Sequence, residues 1–264
     1  MADFEVYKGI VQHSPKSCGA YCINAALTDL GLTATAADAN KLNTADVSNG
    51  YDGSFGDERV NLWRVKHFES ERLQVAAEVG KKTYGVTGNL ELRMGSKQAL
   101  YRESSDCTDL ENSPSGMVEV AAKTCPTLAK NITYYTAFGK ALFNGLTLMN
   151  AGGGDLFDRE EKLITTNIKK QVKSSPLKEI PFQKTQMNVI LVRYKDTETM
   201  HWIAGTLDVN DAKNAVIYDP ATGDVLKIPI ASNFELQTGL TVKPATTIGP
   251  NSYEFPGIWI RLEV

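Results

Sequence analysis

Gln12-His-Ser-Pro-Lys-Ser-Cys18-Gly-Ala-Tyr-Cys-Ile-Asn-Ala-Ala-Leu-Thr-Asp-Leu-Gly31 joins a polar, proline-bearing loop to a run of small and apolar residues. Ala20, Ile23, Ala26, Leu27 and Leu30 recur at intervals of three and four, the spacing of a helix face. Ser17 stands at the N-cap position, and Gly31 stands where a C′ glycine ends a helix. Cys18 therefore falls in the first helical turn. The unpaired N–H groups and the positive end of the helix dipole there favour thiolate over thiol.

A nucleophilic thiolate needs an imidazole to carry a proton to the leaving group. The chain has 3 histidines, so the search is short. His201 opens an apolar run, His201-Trp-Ile-Ala-Gly-Thr-Leu207. After one polar turn comes a second run that ends Ile217-Tyr-Asp-Pro220. A hairpin of that length returns Asp219 beside His201, where a carboxylate would fix the imidazole's tautomer and orientation. Gln12 lies six residues before Cys18, placed to donate its side-chain amide to an oxyanion together with the Cys18 backbone N–H. Gly19 and Trp202 are expected to contact substrate. Asp208 is the rival carboxylate, but it ends the histidine strand, where its side chain would point away from the imidazole. His13 lies in a loop without a placing carboxylate, and His67 reads as part of a solvated face. Cys22, one turn beyond Cys18, reads as a small core residue.

The ordered set Gln12-x5-Cys18-Gly19, then His201-Trp202, then Asp219-Pro220, resembles the papain-like cysteine peptidases. The bacteriocin-processing (double-glycine) peptidase branch is similar in its glutamine-to-cysteine spacing, its Cys-Gly pair and its Asp-Pro; phytochelatin synthases share the order. The resemblance covers residues 10–30 and about 187–221. It implies a papain-like α+β fold and a cysteine protease with a Cys18-His201-Asp219 triad, without metal or cofactor, acting on a protein or peptide substrate. Proteases of ubiquitin-like modifiers also carry His-Trp followed by Asp, but their cysteine comes last, and here no cysteine follows Asp219. The same triad would serve a glutamine deamidase or a transglutaminase-type acyltransferase. An inactive papain-like binding module is the reading of a different class. A bacterial toxin or effector would fit the chain's composition and would bring a cognate inhibitor or immunity protein as partner.

The rest of the chain frames this set as a single domain, 1–264, with 46–152 as an insertion between the cysteine helix and the histidine-bearing sheet. A short helix is expected at 36–42, a polar turn at 48–57, a polar loop at 104–115 and a helix at 134–149, on the spacing of Tyr135, Phe138, Leu142 and Phe143. A further helix is expected after Asp155, with Phe157, Leu163, Ile164, Ile168 and Val172 on one face and its acidic residues complementing the dipole. Strands are expected at 187–194, 201–207, 215–218, 225–230 and 257–262. Helices first and strands last make an α+β protein.

A formal net charge of −3 gives no basic patch for nucleic acid. No run of about 18 apolar residues predicts a membrane span. The acidic, core-less start does not read as a cleaved signal peptide. The expected place is the cytoplasm as synthesised, with secretion by a signal-independent route left open. The 4 cysteines fit no zinc spacing; Cys107 and Cys125 would pair only in an oxidising compartment.

Overall fold

The computed structural model describes residues 4–31, 80, 83–84, 87–91, 100–101, 110–125, 128, 131–136, 156–173, 180–194, 196–197, 199–230, 246–249 and 251–264. The first helix, α1 (Cys18–Asp29), forms where the spacing places it. Every α1 residue except Thr28 is buried, so the helix lies among other elements on all sides. Gly31 ends it with φ +76. Ser17 holds the N-cap position but does not cap with its side chain. Its hydroxyl instead turns back to the Ser14 carbonyl at 2.9 Å and accepts from the Ser14 N–H at 3.2 Å, tightening the loop ahead of Cys18.

Twelve strands follow in the described residues: β1 (Gly88–Glu91), β2 (Leu100–Tyr101), β3 (Glu111–Asn112), β4 (Ile132–Tyr135), β5 (Gln171–Lys173), β6 (Gln186–Tyr194), β7 (Met200–Leu207), β8 (Asn214–Asp219), β9 (Asp224–Pro229), β10 (Thr246–Ile248), β11 (Asn251–Glu254) and β12 (Trp259–Glu263). The five strands expected from alternation and turn signals are β6, β7, β8, β9 and β12. A nine-stranded sheet runs β5-β4-β12-β6-β7-β8-β9, with β11 added beside the end of β6 and β10 beside β11. Its pairs are antiparallel except β4 with β5, which are parallel. β1, β2 and β3 form a small separate antiparallel sheet. The architecture is mixed helix and antiparallel sheet, compatible with α+β. The expected order of helices first and strands last does not hold: β1–β4 lie between α1 and the helix at Leu156–Lys162.

Alternation along β6 sorts the core into two layers. Met187, Val189 and Leu191 join the cluster that holds α1, while Ile190 and Val192 join a cluster with Ile180, Phe182, Phe255 and Trp259. α1 packs chiefly on β7 and β6. The second helix, α2 (Pro114–Thr124), packs on α1. There Gly19 faces side chains of β3 and α2: a Cβ on it would lie 2.7 Å from the Asn112 Cβ and from the Met117 Sδ. Ser113 caps α2, accepting from the Gly116 N–H at 3.0 Å, with Pro114 in the first turn; such a cap contributes about 1 kcal/mol.

Three expectations are corrected. Residues 110–115 are not a polar loop, because they form β3, the cap and the start of α2. Tyr134 and Tyr135 lie in a strand, not a helix: Ile132-Thr-Tyr-Tyr is a run of β-branched and aromatic residues that fits a pleated, buried surface. The Tyr135 ring stacks on Trp259 at 4.3 Å, and 137–149 lies outside the described residues. The third correction concerns α3 (Leu156–Lys162), which passes into a π-turn, Leu163–Asn167. The chain then leaves the helix, and Val172 lies in β5, opposite Tyr134.

Of the acidic residues of α3, Asp158 is exposed in the first turn, as a dipole complement should be, whereas the two glutamates have partners in other elements. Glu160 is fully buried and accepts from the Ser115 N–H at 2.5 Å and its hydroxyl at 3.1 Å, so its carboxylate sits at the N-terminus of α2. Glu161 accepts from the Thr136 hydroxyl. The expected helix at 36–42, the turn at 48–57, His67 and Cys107 lie outside the described residues. Among the described residues no helix is long and apolar enough to cross a membrane.

Candidate active site

The site forms where β7 and β8 separate. Their ladder runs from Leu207↔Ala215 to Ala204↔Tyr218 and stops there. Continued by two residues, it would set Pro220 opposite Trp202, and proline has no N–H to offer the ladder. The first turns of α1 occupy the gap instead. The Trp202 N–H donates to the Cys18 Sγ at 3.4 Å, and the Cys22 thiol donates to the Trp202 carbonyl at 3.2 Å. The Pro220 carbonyl is taken by the Gln12 N–H at 2.8 Å.

Two more bonds fasten the same loop. The Gly9 N–H donates to the Gly223 carbonyl at 2.8 Å, and the Tyr218 hydroxyl donates to the Ile10 carbonyl at 2.7 Å. Gly223 has φ +75, and a Cβ there would lie 2.9 Å from the Gly9 carbonyl carbon. Only glycine meets both demands.

His201 is 2% exposed. Its Nε2 lies 2.8 Å from the Asp219 Oδ1; a carboxylate only accepts, so Nε2 carries the proton. The Cys18 side chain also lies beside the ring, and with Nε2 committed the nitrogen left to meet it is Nδ1. Burial alone would push the imidazole down. The Cys18 charge and side chain beside the ring, the hydrogen bond to Asp219 and the Asp219 charge outweigh it and raise His201 to about 9.

Asp219 is also buried, which on its own would raise it. Hydrogen bonding and charge from His201, with bonds from Tyr253 and Ala221, hold the carboxyl below its usual range. Cys22 is fully buried, and burial, followed by the Cys18 and Asp219 charges, raises its thiol well above the ordinary value. Cys22 is thus a protonated donor inside the core, whereas Cys18 faces the imidazole.

The structure brings Cys18, His201 and Asp219 together, as their order in the chain predicts. Gln12 is tied by its backbone to Pro220, and its Nε2 donates to the Ser14 carbonyl at 2.8 Å. That bond uses one of the two amide protons. Gly19 faces Asn112 of β3 and Met117 of α2. The Trp202 ring lies in the α1-side cluster, on the opposite side of β7 from His201 by strand alternation. Asp208 points elsewhere: it binds the Lys227 Nζ at 2.8 Å and the Asn210 N–H at 2.9 Å. His13 packs on Tyr21 and Tyr84. Among the described residues no cluster of His, Cys, Asp or Glu could hold a metal ion.

Two residues at the site escape a reading of the sequence. The Tyr253 hydroxyl donates to the Asp219 Oδ2 at 2.6 Å. Tyr194 lies opposite Tyr253 in the β6–β11 register, and its ring is 5.3 Å from the His201 ring. No motif marks either tyrosine; only the pairing of β11 with β6 brings them to the triad.

No family model matches this chain, no curated protein matches it, and no solved structure matches it.

Proposed function

We propose that the chain is a cysteine-dependent amide hydrolase with a papain-like arrangement, cleaving peptide bonds in a protein or peptide substrate. The observation that carries this reading is the buried imidazole of His201, bound at Nε2 by Asp219 and with the Cys18 side chain beside it. With His201 raised to about 9, the imidazolium is the dominant form at neutral pH, where it would pair with a Cys18 thiolate. The thiolate attacks the amide carbonyl carbon and the carbonyl oxygen becomes an oxyanion. The first N–H groups of a helix have no intrahelical partner, so the Cys18 N–H is one donor to that oxygen; the second Gln12 amide proton is the other. His201 then gives its Nδ1 proton to the leaving nitrogen, and the C–N bond breaks to leave a thioester on Cys18. The neutral imidazole takes a proton from water, whose oxygen attacks the thioester and frees Cys18. Through these steps Asp219 keeps the Nε2 proton and the ring's orientation.

The test is intact-mass labelling with iodoacetamide at pH 6, with peptide mapping, on the wild type and on His201→Ala. An ordinary thiol with a pKa of about 8.5 is nearly all protonated at that pH. Single labelling at Cys18, slowed by at least about tenfold in His201→Ala, is the expected result. Labelling indifferent to His201 would make Cys18 a structural thiol and end the proposal. Peptide substrates then separate hydrolysis, which yields a new amino terminus, from glutamine deamidation, which yields ammonia.

A further inference from the structure

We infer that Tyr253 is a positioning residue of this site: its hydroxyl locks the second oxygen of Asp219 so that the first stays on His201. The inference rests on the hydrolase reading above.

The geometry is specific. Asp219 Oδ1 accepts from His201 Nε2 at 2.8 Å and from the Ala221 N–H at 2.9 Å. Oδ2 accepts from Tyr253 at 2.6 Å, a short distance of the kind seen when a hydroxyl meets an ionised acceptor. Without Tyr253 the carboxylate could turn about its Cβ–Cγ bond, and Oδ2 would have no donor among the described residues.

Tyr253 is itself fully buried and held on three sides. The Asn251 Nδ2 donates to its oxygen at 3.3 Å. Tyr194 lies beside it, opposite Tyr253 in the β6–β11 register. The Tyr253 ring lies nearly parallel to the His201 imidazole, 6.0 Å between centroids and 17° between planes, and 4.8 Å from the Tyr194 ring. The Tyr253 hydroxyl thus meets the carboxylate on one side and the imidazole meets it on the other. The hydroxyl reaches the triad through the β10–β11 hairpin, a part of the chain remote from Cys18, His201 and Asp219 in sequence.

The titratable groups that face Asp219 are His201 from β7, Tyr253 from β11, Tyr194 from β6, Cys18 and Cys22 from α1, and Tyr218 from its own strand. Cys18, His201 and Asp219 interact closely enough to take up protons as a set. Removing a donor from the carboxylate lets that set protonate at higher pH.

The experiment is the pH dependence of iodoacetamide alkylation at Cys18 for the wild type, Tyr253→Phe, Tyr194→Phe and His201→Ala, with thermal melts to confirm folding. In Tyr253→Phe the acid limb should move up by about one pH unit, the size expected for one hydrogen bond to a charged group. Tyr194→Phe should move it the same way by less. A variant that only loosened the packing would leave the limb in place, so an unmoved limb in folded Tyr253→Phe overturns the inference. Should that variant not fold, 3-fluorotyrosine at position 253, a more acidic donor, should lower the limb; an unmoved limb there overturns it equally. Alkylation unaffected by His201→Ala sinks the hydrolase reading itself, whereas loss in His201→Ala with a wild-type limb in Tyr253→Phe sinks only the role of Tyr253.

Discussion

Two buried aspartates stand at opposite ends of one hairpin and do different work. Asp208 leaves β7 where the β7–β8 ladder is closed; Asp219 ends β8 where the ladder has opened. Both are nearly inaccessible, at 1% and 2% exposure, and both are held below the usual carboxylate range. Burial and a lowered carboxyl therefore do not separate them. Their partners do. Asp208 is paired with Lys227, an ammonium half in solvent. Asp219 is paired with a histidine that is raised to about 9 and that also has the Cys18 side chain beside it. A carboxylate becomes part of a catalytic device when its partner can release a proton and already faces a nucleophile.

Breaking one end and then the other should give the largest contrast. Asp219→Asn should lower amide hydrolysis by about 10²–10⁴-fold, because the amide no longer fixes the imidazole tautomer. Asp208→Asn should leave the rate unchanged. Steady-state kinetics on one peptide substrate for both variants decides the matter, and equal losses would erase the distinction drawn here.

The next contrast is in pH. His201 is raised from 6.5 to about 9 in the folded protein. Its stabilising contribution is therefore complete below about 6.5 and is lost as pH rises through about 9. Hydrolysis should fall by about tenfold per pH unit beyond that point, since the general acid is gone. Asp208→Asn should not move this alkaline limb; a pH–rate profile of both proteins checks it.

The smallest effect concerns the opening itself. Pro220→Ala should destabilise by about 0.4–1 kcal/mol through the freer unfolded chain, read as a lower denaturation midpoint. If Pro220→Ala stabilised the protein, the ladder would be gaining a bond that proline denies it.

The cysteine helix and the hairpin were readable because each carries its own local code. Small residues at helical spacing end in Gly31, and apolar runs of strand length are separated by polar turns. Once those elements are set, Cys18, His201 and Asp219 each fall at an element end, and their meeting follows from chain order. The rest depends on information no window contains. Tyr253 reaches Asp219 only through the register of β11 on β6, and tyrosine there looks like any strand residue. Tyr135 shares a short apolar run with helical spacing, yet the strand wins because β12 offers a ladder and Trp259 a stacking surface. Glu160 reads as a polar helix residue until the N-terminus of α2 supplies its donors.

One bond described above has a wider reach than its length suggests. The Trp202 amide spends its proton on the sulfur of Cys18, so the nucleophile also serves as a neighbour in the sheet. Any group carried on that sulfur must compete with the backbone for the same lone pairs. On the hydrolase proposal, each acyl adduct would be felt by β7 while it lasts, one residue from the imidazole proposed to remove it, and the sheet would be restored when the thiolate returned.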